Sequence, residues 1–173
     1  MKPEIKKHLV RAAILIPLLL GVVYLYYRTP KLVRIEHRGI YYQLGNPDMA
    51  EEISLIFDGN LTRGLWLEDA FEGTIIIGDK VLKQVNMRLP KNSQSPIVHL
   101  DDGTKDYVTY GSLYSKDIKK DLTISVFQYD KVTDSDGWSS ADGYMISAPA
   151  KDRKEALELS KQLMEKDLLK ELE

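Results

Sequence analysis

The chain lacks several residues and motifs on which protein chemistry often depends. It has no cysteine, which excludes disulfide bonds, thiolate metal sites, cysteine nucleophiles and lipid anchors attached through cysteine. Its formal net charge is only −2, which argues against broad nucleic-acid binding. The phosphate-binding patterns G-x-x-x-x-G-K and G-x-G-x-x-G are both missing. The sequence therefore predicts neither a cofactor nor a nucleic-acid partner.

The charges that are present divide the chain into two parts. Residues 1–28 carry five Lys or Arg and one Glu, whereas the other 145 residues carry 19 Lys or Arg and 25 Asp or Glu. A basic start of +4 therefore precedes an acidic body of −6. With 173 residues, of which 43% are apolar, the chain has the size of one domain and an accessory segment.

A long apolar run follows the basic start. Residues 12–27 carry no charge, and residues 9–27 would span about 28 Å as a helix, close to a hydrocarbon core of about 30 Å. Tyr24 and Tyr27 lie near the end of the run, where tyrosine rings favour a membrane interface. The run ends in bulky residues and not in the small residues that signal peptidase needs, so an uncleaved anchor is favoured over a cleaved signal peptide. We predict a transmembrane signal-anchor helix at 9–28.

The orientation relative to the membrane is predicted from the charges. Lys and Arg flank both ends of the apolar run, but the basic head at 1–8 is short and dense, and the body of the chain is acidic. This favours a cytoplasmic head at 1–8 and an extracytoplasmic domain at 29–173. The chain is expected to be a single-pass protein of the cell membrane, with the lipid bilayer as a partner through 9–28.

Beyond residue 28, apolar and polar residues alternate in short runs. The predicted strands lie at 33–44, 53–57, 74–77, 81–89, 96–100, 107–114, 122–129 and 144–148. Tight turns such as Gly78-Asp79-Lys80 separate them, which is typical of antiparallel sheets. In the first run the apolar phase changes at Gly39, which predicts a glycine bulge. We expect a mainly antiparallel β domain in the form of a curled sheet, a barrel or a sandwich.

The last segment has a helical pattern. Asp152 and Glu155 have the spacing of a capping box, and apolar residues such as Ala156 and Leu163 share one face. This predicts an amphipathic helix at 152–172 that packs on the sheet, and a helix that binds a partner is the alternative. The predicted fold class is α+β, with an N-terminal transmembrane helix, the antiparallel β domain and this C-terminal helix.

Two groups of residues are of types that bind metal ions. His37 and His99 lie on different predicted strands without a second histidine nearby, so each is expected to be structural. A polar loop after residue 129 contains Asp134, Asp136 and Asp142. Its spacing fails the EF-hand pattern, because the first and last ligand positions would be valine and glycine. A non-standard calcium site on the three aspartates is an alternative to a solvated loop, and no metal ligand is assigned.

Catalytic patterns are equally sparse. A cluster of carboxylates lies beside two aromatic residues: Glu68, Asp69 and Glu72 with Trp66 and Phe71. Sugar-cleaving sites combine these types, but nothing in the sequence fixes the separation of roughly 5–10 Å that two carboxyl groups need, so a charged turn is favoured. The segment Gly137–Ala141 comes close to the serine pattern G-x-S-x-G, but a predicted strand follows where that motif needs a helix. No catalytic residue is assigned.

Two short stretches are similar to uncharacterised single-pass membrane-anchored envelope proteins of Gram-positive bacteria. They are Phe71–Asp79, which reads FEGTIIIGD, and Ile146–Ala150, which runs into Arg153–Ala156. The resemblance extends to the layout of the whole chain. It implies a place in the cell envelope, and it implies no activity and no functional residues.

The sequence favours a non-catalytic function. We expect a membrane-anchored extracytoplasmic domain that binds or regulates a partner, and an envelope or membrane protein is the expected kind of partner. One alternative is an envelope hydrolase that uses acidic residues at Glu68–Glu72 or Asp134–Asp142. Another is a structural subunit that docks on a membrane complex through its N-terminal or C-terminal helix.

Overall fold

A computed structural model describes residues 3–64, 68–90, 93–131 and 134–164, with side chains from residue 13 onward. The described elements are two helices and ten strands. In chain order they are α1 Pro3–Arg28, β1 Lys31–Gln43, β2 Asn46–Thr62, β3 Asp69–Ile77, β4 Lys80–Leu89, β5 Ser95–Leu100, β6 Tyr107–Asp117, β7 Asp121–Val126, β8 Gln128–Asp130, β9 Ser135–Gly137, β10 Tyr144–Ala148 and α2 Arg153–Leu163.

Eight of the strands close an antiparallel barrel. Their order around the barrel is β1-β10-β7-β6-β5-β4-β3-β2. The two remaining strands, β8 and β9, form a separate hairpin within the connection from β7 to β10. Closure pairs the first strand with the last, so the main sheet does not end in an edge strand that could join another chain. Of the three forms that the sequence left open for the β domain, the structure has the barrel.

The predicted glycine bulge at Gly39 is wrong. β1 stays in register with β2 as far as Tyr42, and the irregularity lies between Tyr42 and Gln43. Odd-numbered residues such as Ile35 and Tyr41 pack against the barrel core along the whole strand. Tyr42 is also buried because α2 covers the outside of the barrel at that point. A second apolar surface therefore explains the change of phase.

Side chains fill the interior of the barrel. The rings of Phe57 and Phe71 meet edge to face with centroids 5.6 Å apart. Where β1 meets β10, the rings of Tyr41 and Tyr144 stack with centroids 5.4 Å apart, and Tyr110 packs against the same core. An eight-stranded barrel is just wide enough for its side chains to fill it. The interior is therefore a packed core.

The helix α2 lies across the outside of β1, β10, β7 and β6. Asp152 is its N-cap and accepts the backbone N–H of Glu155 at 2.8 Å. The Glu155 carboxylate in turn accepts the N–H of Lys151 at 3.0 Å, so the two side chains cap the helix start together. The helix ends at Leu163, and residues 165–172 of the predicted helix lie outside the described residues.

The N-terminal helix differs from the transmembrane helix that the sequence predicted. α1 has 26 residues, but no helix in the described part of the chain is both long enough and apolar enough to cross a membrane. The uncharged residues 12–27 would measure about 24 Å at about 1.5 Å per residue, short of a hydrocarbon core of about 30 Å. The predicted transmembrane signal-anchor at 9–28 is therefore wrong. The predicted single-pass membrane localisation and the transmembrane part of the predicted fold class are wrong for the same reason.

Candidate ligand-binding site

Because side chains fill the barrel interior, the places open to a ligand are the clefts of its surface. Consecutive barrel strands run in opposite directions, so alternate connections lie at the same end of the barrel. We call the end that carries the β8–β9 hairpin the hairpin end. The opposite end, where α1 leads into β1, is the helix end.

A cleft of about 420 Å³ lies at the hairpin end, and we call it the hairpin cleft. It is bounded by the ends of β1 and β7, the hairpin itself and the segment that leads into β10. Its aromatic, amide and carboxylate residues are Gln43, Gln128, Tyr129, Asp130, Trp138 and Asp142. The cleft therefore offers ring faces together with hydrogen-bonding groups.

Trp138 is held between the hairpin cleft and the apolar layer under α2. It packs against the cluster that contains Tyr42, as Leu44 and Leu157 also do. Its indole nitrogen lies against Gly143, where an added Cβ would come within 2.5 Å of it. This nitrogen is buried and has no hydrogen-bond partner among the described residues. Such atoms are uncommon in folded proteins, and this one belongs to a residue that lines the cleft.

Gln43 connects the cleft to α2. Its side-chain amide donates to the backbone carbonyl of Asp142 at 3.0 Å. The backbone carbonyl of Gln43 accepts a hydrogen bond from Arg153 Nη2 at 2.9 Å. The same nitrogen donates to the backbone carbonyl of Leu44 at 3.2 Å. The Arg153 guanidinium also lies 5.8 Å from the centroid of the Tyr42 ring. One wall of the cleft is thus fixed to the helix before any ligand arrives, which lowers the entropy cost of binding.

Tyr129 lies on the hairpin and is 59% exposed. Its hydroxyl donates a hydrogen bond to Asp134 Oδ1. This bond to a carboxylate favours the protonated phenol and raises the pKa of Tyr129. The bond restrains the ring on the hairpin while most of its surface stays open to solvent.

The three aspartates of the calcium hypothesis do not form a metal site. Among the residues that the structure describes, no group of three or more His, Asp or Glu side chains is placed to hold a metal ion. Asp134 accepts the Tyr129 phenol, and Asp136 lies on the exposed strand β9. Asp142 lies at the hairpin cleft, where it is joined by Asp130.

Each of the two histidines on the barrel bonds to a backbone carbonyl. His37 Nε2 lies 2.7 Å from the carbonyl oxygen of Ile118. His99 is buried, and its Nδ1 lies 3.2 Å from the carbonyl oxygen of Leu100. These contacts are those of structural histidines that satisfy backbone groups.

The predicted carboxylate cluster is divided between two faces of β3. Asp69 Oδ1 accepts the backbone N–H of Gly64 at 3.0 Å and so closes the loop before the strand. Phe71 is buried in the barrel, whereas its neighbour Glu72 is exposed. Adjacent strand residues point to opposite faces, so Asp69 and Glu72 do not face one substrate. Trp66 lies outside the described residues.

The serine pattern at Gly137–Ala141 lies in the connection from β9 to β10. Ser139 Oγ accepts the backbone N–H of Ala141 at 3.2 Å, which stabilises a local turn. A strand and not a helix follows, so the strained strand-to-helix turn of a nucleophile elbow is not formed.

A second cleft, of about 580 Å³, lies at the helix end. Its charged residues are three cations and three carboxylates: Arg63, Lys116, Lys120, Asp69, Asp117 and Asp121. Arg63 and Asp117 form an ion pair at 3.6 Å. The charges of this cleft compensate one another, and Tyr27 is the single aromatic residue among its described lining residues. It is larger than the hairpin cleft, but its described lining residues present a ligand with less aromatic surface.

The sequence pointed to the polar loop that forms one side of the hairpin cleft, but it missed Gln43 and Trp138 as lining residues. Tyr129 directly precedes that polar loop and Trp138 interrupts it, and these two aromatic residues were the available signal. Comparisons with protein-family models, curated proteins and solved structures found no match for the chain.

Proposed function

We propose that the chain is a non-catalytic binding module whose ligand occupies the hairpin cleft. The observation that carries the proposal is the convergence of Tyr129, Trp138 and Gln43 on one cleft of about 420 Å³ beside a filled barrel. Ligand sites commonly measure about 300–1,000 Å³ and combine ring surfaces with a few polar groups that fix orientation. The hairpin cleft has this size and this composition.

The arrangement of the reactive side chains supports binding over hydrolysis. The carboxylates near β3 are divided between the two faces of the strand, and the serine of the hairpin segment lies in a simple turn. By contrast, the cleft is held by Arg153 from α2 and by the close contact of Trp138 with Gly143. A fixed cleft without an assembled acid and base is suited to recognition.

Fluorine NMR of the full chain labelled with 5-fluorotryptophan tests this proposal. The chain has two tryptophans, so the Trp66→Phe variant assigns the signal of Trp138. We would titrate cationic, neutral and anionic small molecules. At least one class is expected to shift the Trp138 signal in a saturable manner. If no class shifts that signal, the proposed function is wrong.

A steric variant shows whether such binding takes place in the cleft. Gly137 lines the cleft, and a Cβ added to it would meet no atom within 4 Å. Gly137→Leu should therefore fill the cleft without disturbing the fold and should abolish the shift. Gly103→Leu is the matched control at the same end, because a Cβ there makes only an ordinary contact of 3.4 Å with Asp101. Unchanged binding by Gly137→Leu would place the ligand elsewhere.

A second candidate function, that of a subunit in a self-assembled complex, is supported by α1. Large apolar side chains of this helix are 40–66% exposed. A helix that is apolar on all sides is normally buried. Leu15, Leu18, Val22 and Leu25 have the alternating spacing of three and four residues that forms a seam between paired helices. We propose a second copy of the chain as the partner that covers α1.

Sedimentation of the full chain tests the self-assembly. The expected mass is a multiple of 19.8 kDa. The double variant Leu15→Ser and Leu18→Ser should sediment as a monomer, whereas Leu32→Ser should keep the assembly. Leu32 is the control because it is 80% exposed but lies on β1, outside the helix. A monomeric wild-type chain, or flotation with lipid vesicles in place of self-association, would contradict this candidate.

A further inference from the structure

We infer that Tyr41 and Tyr144 form a site of covalent modification, at which one-electron oxidation joins the two rings by a carbon–carbon bond. The reagent class is a peroxide-driven one-electron oxidant, such as the oxidised haem of a peroxidase. The product is a dityrosine cross-link between β1 and β10, the two strands whose pairing closes the barrel. This goes beyond the proposed function, because it requires no ligand in the hairpin cleft.

The register of β1 and β10 brings the two rings together. Tyr41 pairs with Ile146 on β10, and Tyr144 lies two residues before Ile146 on the same strand. The two tyrosines are therefore diagonal neighbours, and both pack against the core on the inner face of the barrel. Diagonal neighbours on paired strands are within reach of aromatic side chains, and here the ring centroids are 5.4 Å apart.

The orientation of the rings suits coupling. Their planes meet at only 15°, so the two rings are stacked. The unpaired electron of a tyrosyl radical lies largely on the ring carbons next to the hydroxyl-bearing carbon, and stacked rings bring these carbons together after a small displacement. Tyr26 and Tyr27 also form a close pair, but their rings meet edge to face at 89°. The Tyr41–Tyr144 pair is thus the better arranged of the two.

Both tyrosines are partly buried, which affects access and coupling in different ways. Electron transfer to an oxidant at the surface does not require direct contact with the ring, so partial exposure is sufficient. The core meanwhile holds the two rings at a fixed distance. Coupling between them is therefore an intramolecular step in a fixed geometry, which strongly favours it over a reaction with a second chain.

The reaction balances with one molecule of hydrogen peroxide. Each phenol loses one electron and its hydroxyl proton to the oxidant, which leaves two tyrosyl radicals. The radicals couple through one ring carbon each, next to the oxygen-bearing carbon, and form the new carbon–carbon bond. The hydrogen on each of these carbons then leaves as a proton while each oxygen regains one, which restores both phenols. The protein has lost two hydrogens, and the peroxide has become two water molecules.

Tyr110 is a third tyrosine at the same core and serves as an internal comparison. Lys80 Nζ lies 4.8 Å from the centroid of its ring. A cation over the face of a ring interacts with its electrons and opposes the loss of one of them. The ring contacts of the described residues also give Tyr110 no stacked partner. Tyr110 is therefore expected to stay unmodified.

The cross-link would act as a covalent staple in a chain that cannot form a disulfide bond. The chain has no cysteine, and residues 41 and 144 are 103 positions apart. A covalent link across so long a loop lowers the entropy of the unfolded chain and thereby stabilises the folded state. Because the link joins the first barrel strand to the last, it would hold the barrel closed.

Mass spectrometry of the oxidised full chain tests the inference. The chain is treated with a haem peroxidase and hydrogen peroxide and is then digested with trypsin. We expect a joined pair of peptides, 39–63 and 132–151, whose mass is lower than the sum of the two by two hydrogens. In a mixture of isotope-labelled and unlabelled chains, both peptides should come from the same chain. If the pair does not form, or forms only between chains, the inference is overturned.

Phenylalanine variants assign the cross-link, because trypsin leaves Tyr41 and Tyr42 in one peptide. Tyr41→Phe and Tyr144→Phe keep the stacked rings but remove a phenol, so each should abolish the joined peptides. Tyr42→Phe and Tyr110→Phe are the matched controls and should retain them. Survival of the cross-link in Tyr41→Phe, or its loss in Tyr110→Phe, would overturn the inference.

Urea denaturation tests the effect of the cross-link on the barrel. The cross-linked chain should unfold at a urea concentration about 1 M higher than the oxidised Tyr41→Phe variant does. Both samples receive the same oxidant, so oxidation of methionine or tryptophan lowers their midpoints equally. A cross-linked chain that unfolds at the same concentration as the variant would overturn the inference that the link holds the barrel closed.

Discussion

The phenol of Tyr42 on β1 donates a hydrogen bond of 2.9 Å to Ser160 Oγ on α2. The Ser160 hydroxyl in turn donates to the carbonyl of Leu157 at 2.9 Å, so the direction of both bonds is fixed. Burial is the main cause that raises the pKa of Tyr42 and keeps the phenol protonated as a donor. The bond joins the barrel wall to the helix inside a buried layer, and it specifies where the helix lies.

Replacing Tyr42 by Phe should destabilise the chain moderately. The ring would still fill its space, and Ser160 would keep its bond to Leu157, so no isolated buried donor would remain. We expect a loss of about 1 kcal/mol in the free energy of unfolding, the usual net value of one buried hydrogen bond. Urea denaturation of the full chain measures it.

Tyr107→Phe is the matched control for that substitution. The Tyr107 hydroxyl also donates a bond, to Gln84 Oε1 at 3.2 Å, but the residue is 64% exposed. Water can replace this bond, so the change should stay within about 0.5 kcal/mol. Equal losses for the two variants would contradict the role assigned to the buried Tyr42 bond.

The N-cap of α2 gives a second prediction. Asp152→Ala removes the acceptor of the Glu155 N–H and should reduce the free energy of unfolding by about 1 kcal/mol. Asp152→Ser keeps an acceptor at the same position and should recover most of the loss. Thermal and urea unfolding followed by circular dichroism test the pair. If serine destabilises as much as alanine, the cap does not stabilise the helix in the way described.

Local patterns predicted most of the strands because strand formation depends on alternation and on turn residues next to one another in the sequence. The predicted strand at 144–148 coincides with β10, and the Asp152–Glu155 pattern marked the start of α2. The same reasoning was wrong for the second half of β1, where it predicted a glycine bulge. Its outer face is covered by α2, which comes more than 100 residues later, and no local pattern shows that cover.

The predictions for the apolar run and for the hairpin cleft failed for different physical reasons. The predicted span reaches membrane length only if residues 9–11, which include the charged Arg11, are added to the uncharged run at 12–27, and that run alone is too short. In the cleft, Gln43 and Asp142 are 99 positions apart and meet only because β1 pairs with β10 to close the barrel. A contact that depends on closure cannot be read from a single sequence.

The close approach of β2 and β3 gives a third prediction. Gly59 pairs with Gly73, and a Cβ on Gly59 would lie 2.3 Å from the carbonyl oxygen of Glu72. Backbone atoms cannot rotate away as a flexible side chain can, so the strands would have to separate. Gly59→Ala should lower the free energy of unfolding by about 1–3 kcal/mol, the range of overpacked cores.

Gly103→Ala is the control for the glycine substitution. Its added Cβ would make only an ordinary contact of 3.4 Å, with a side-chain oxygen of Asp101. It should leave the urea midpoint close to that of the unaltered chain. A similar loss in both variants would mean that the unfolded state, and not the strand approach, accounts for the change.

Tyr110 gives a prediction at alkaline pH. Burial raises the pKa of Tyr110 to about 12, whereas an unfolded chain ionises its tyrosines near pH 10. The folded state therefore favours the neutral phenol. Its contribution to stability is complete below about pH 10 and is lost as the pH rises towards 12. Absorbance of the tyrosinate form should show late-ionising tyrosines, of which Tyr110→Phe removes one and Tyr107→Phe removes none. Unfolding in urea should also become easier across the same pH range, and the Tyr110→Phe variant should lose less stability there than the unaltered chain. An unchanged late ionisation in Tyr110→Phe would assign it to another buried tyrosine and contradict the prediction.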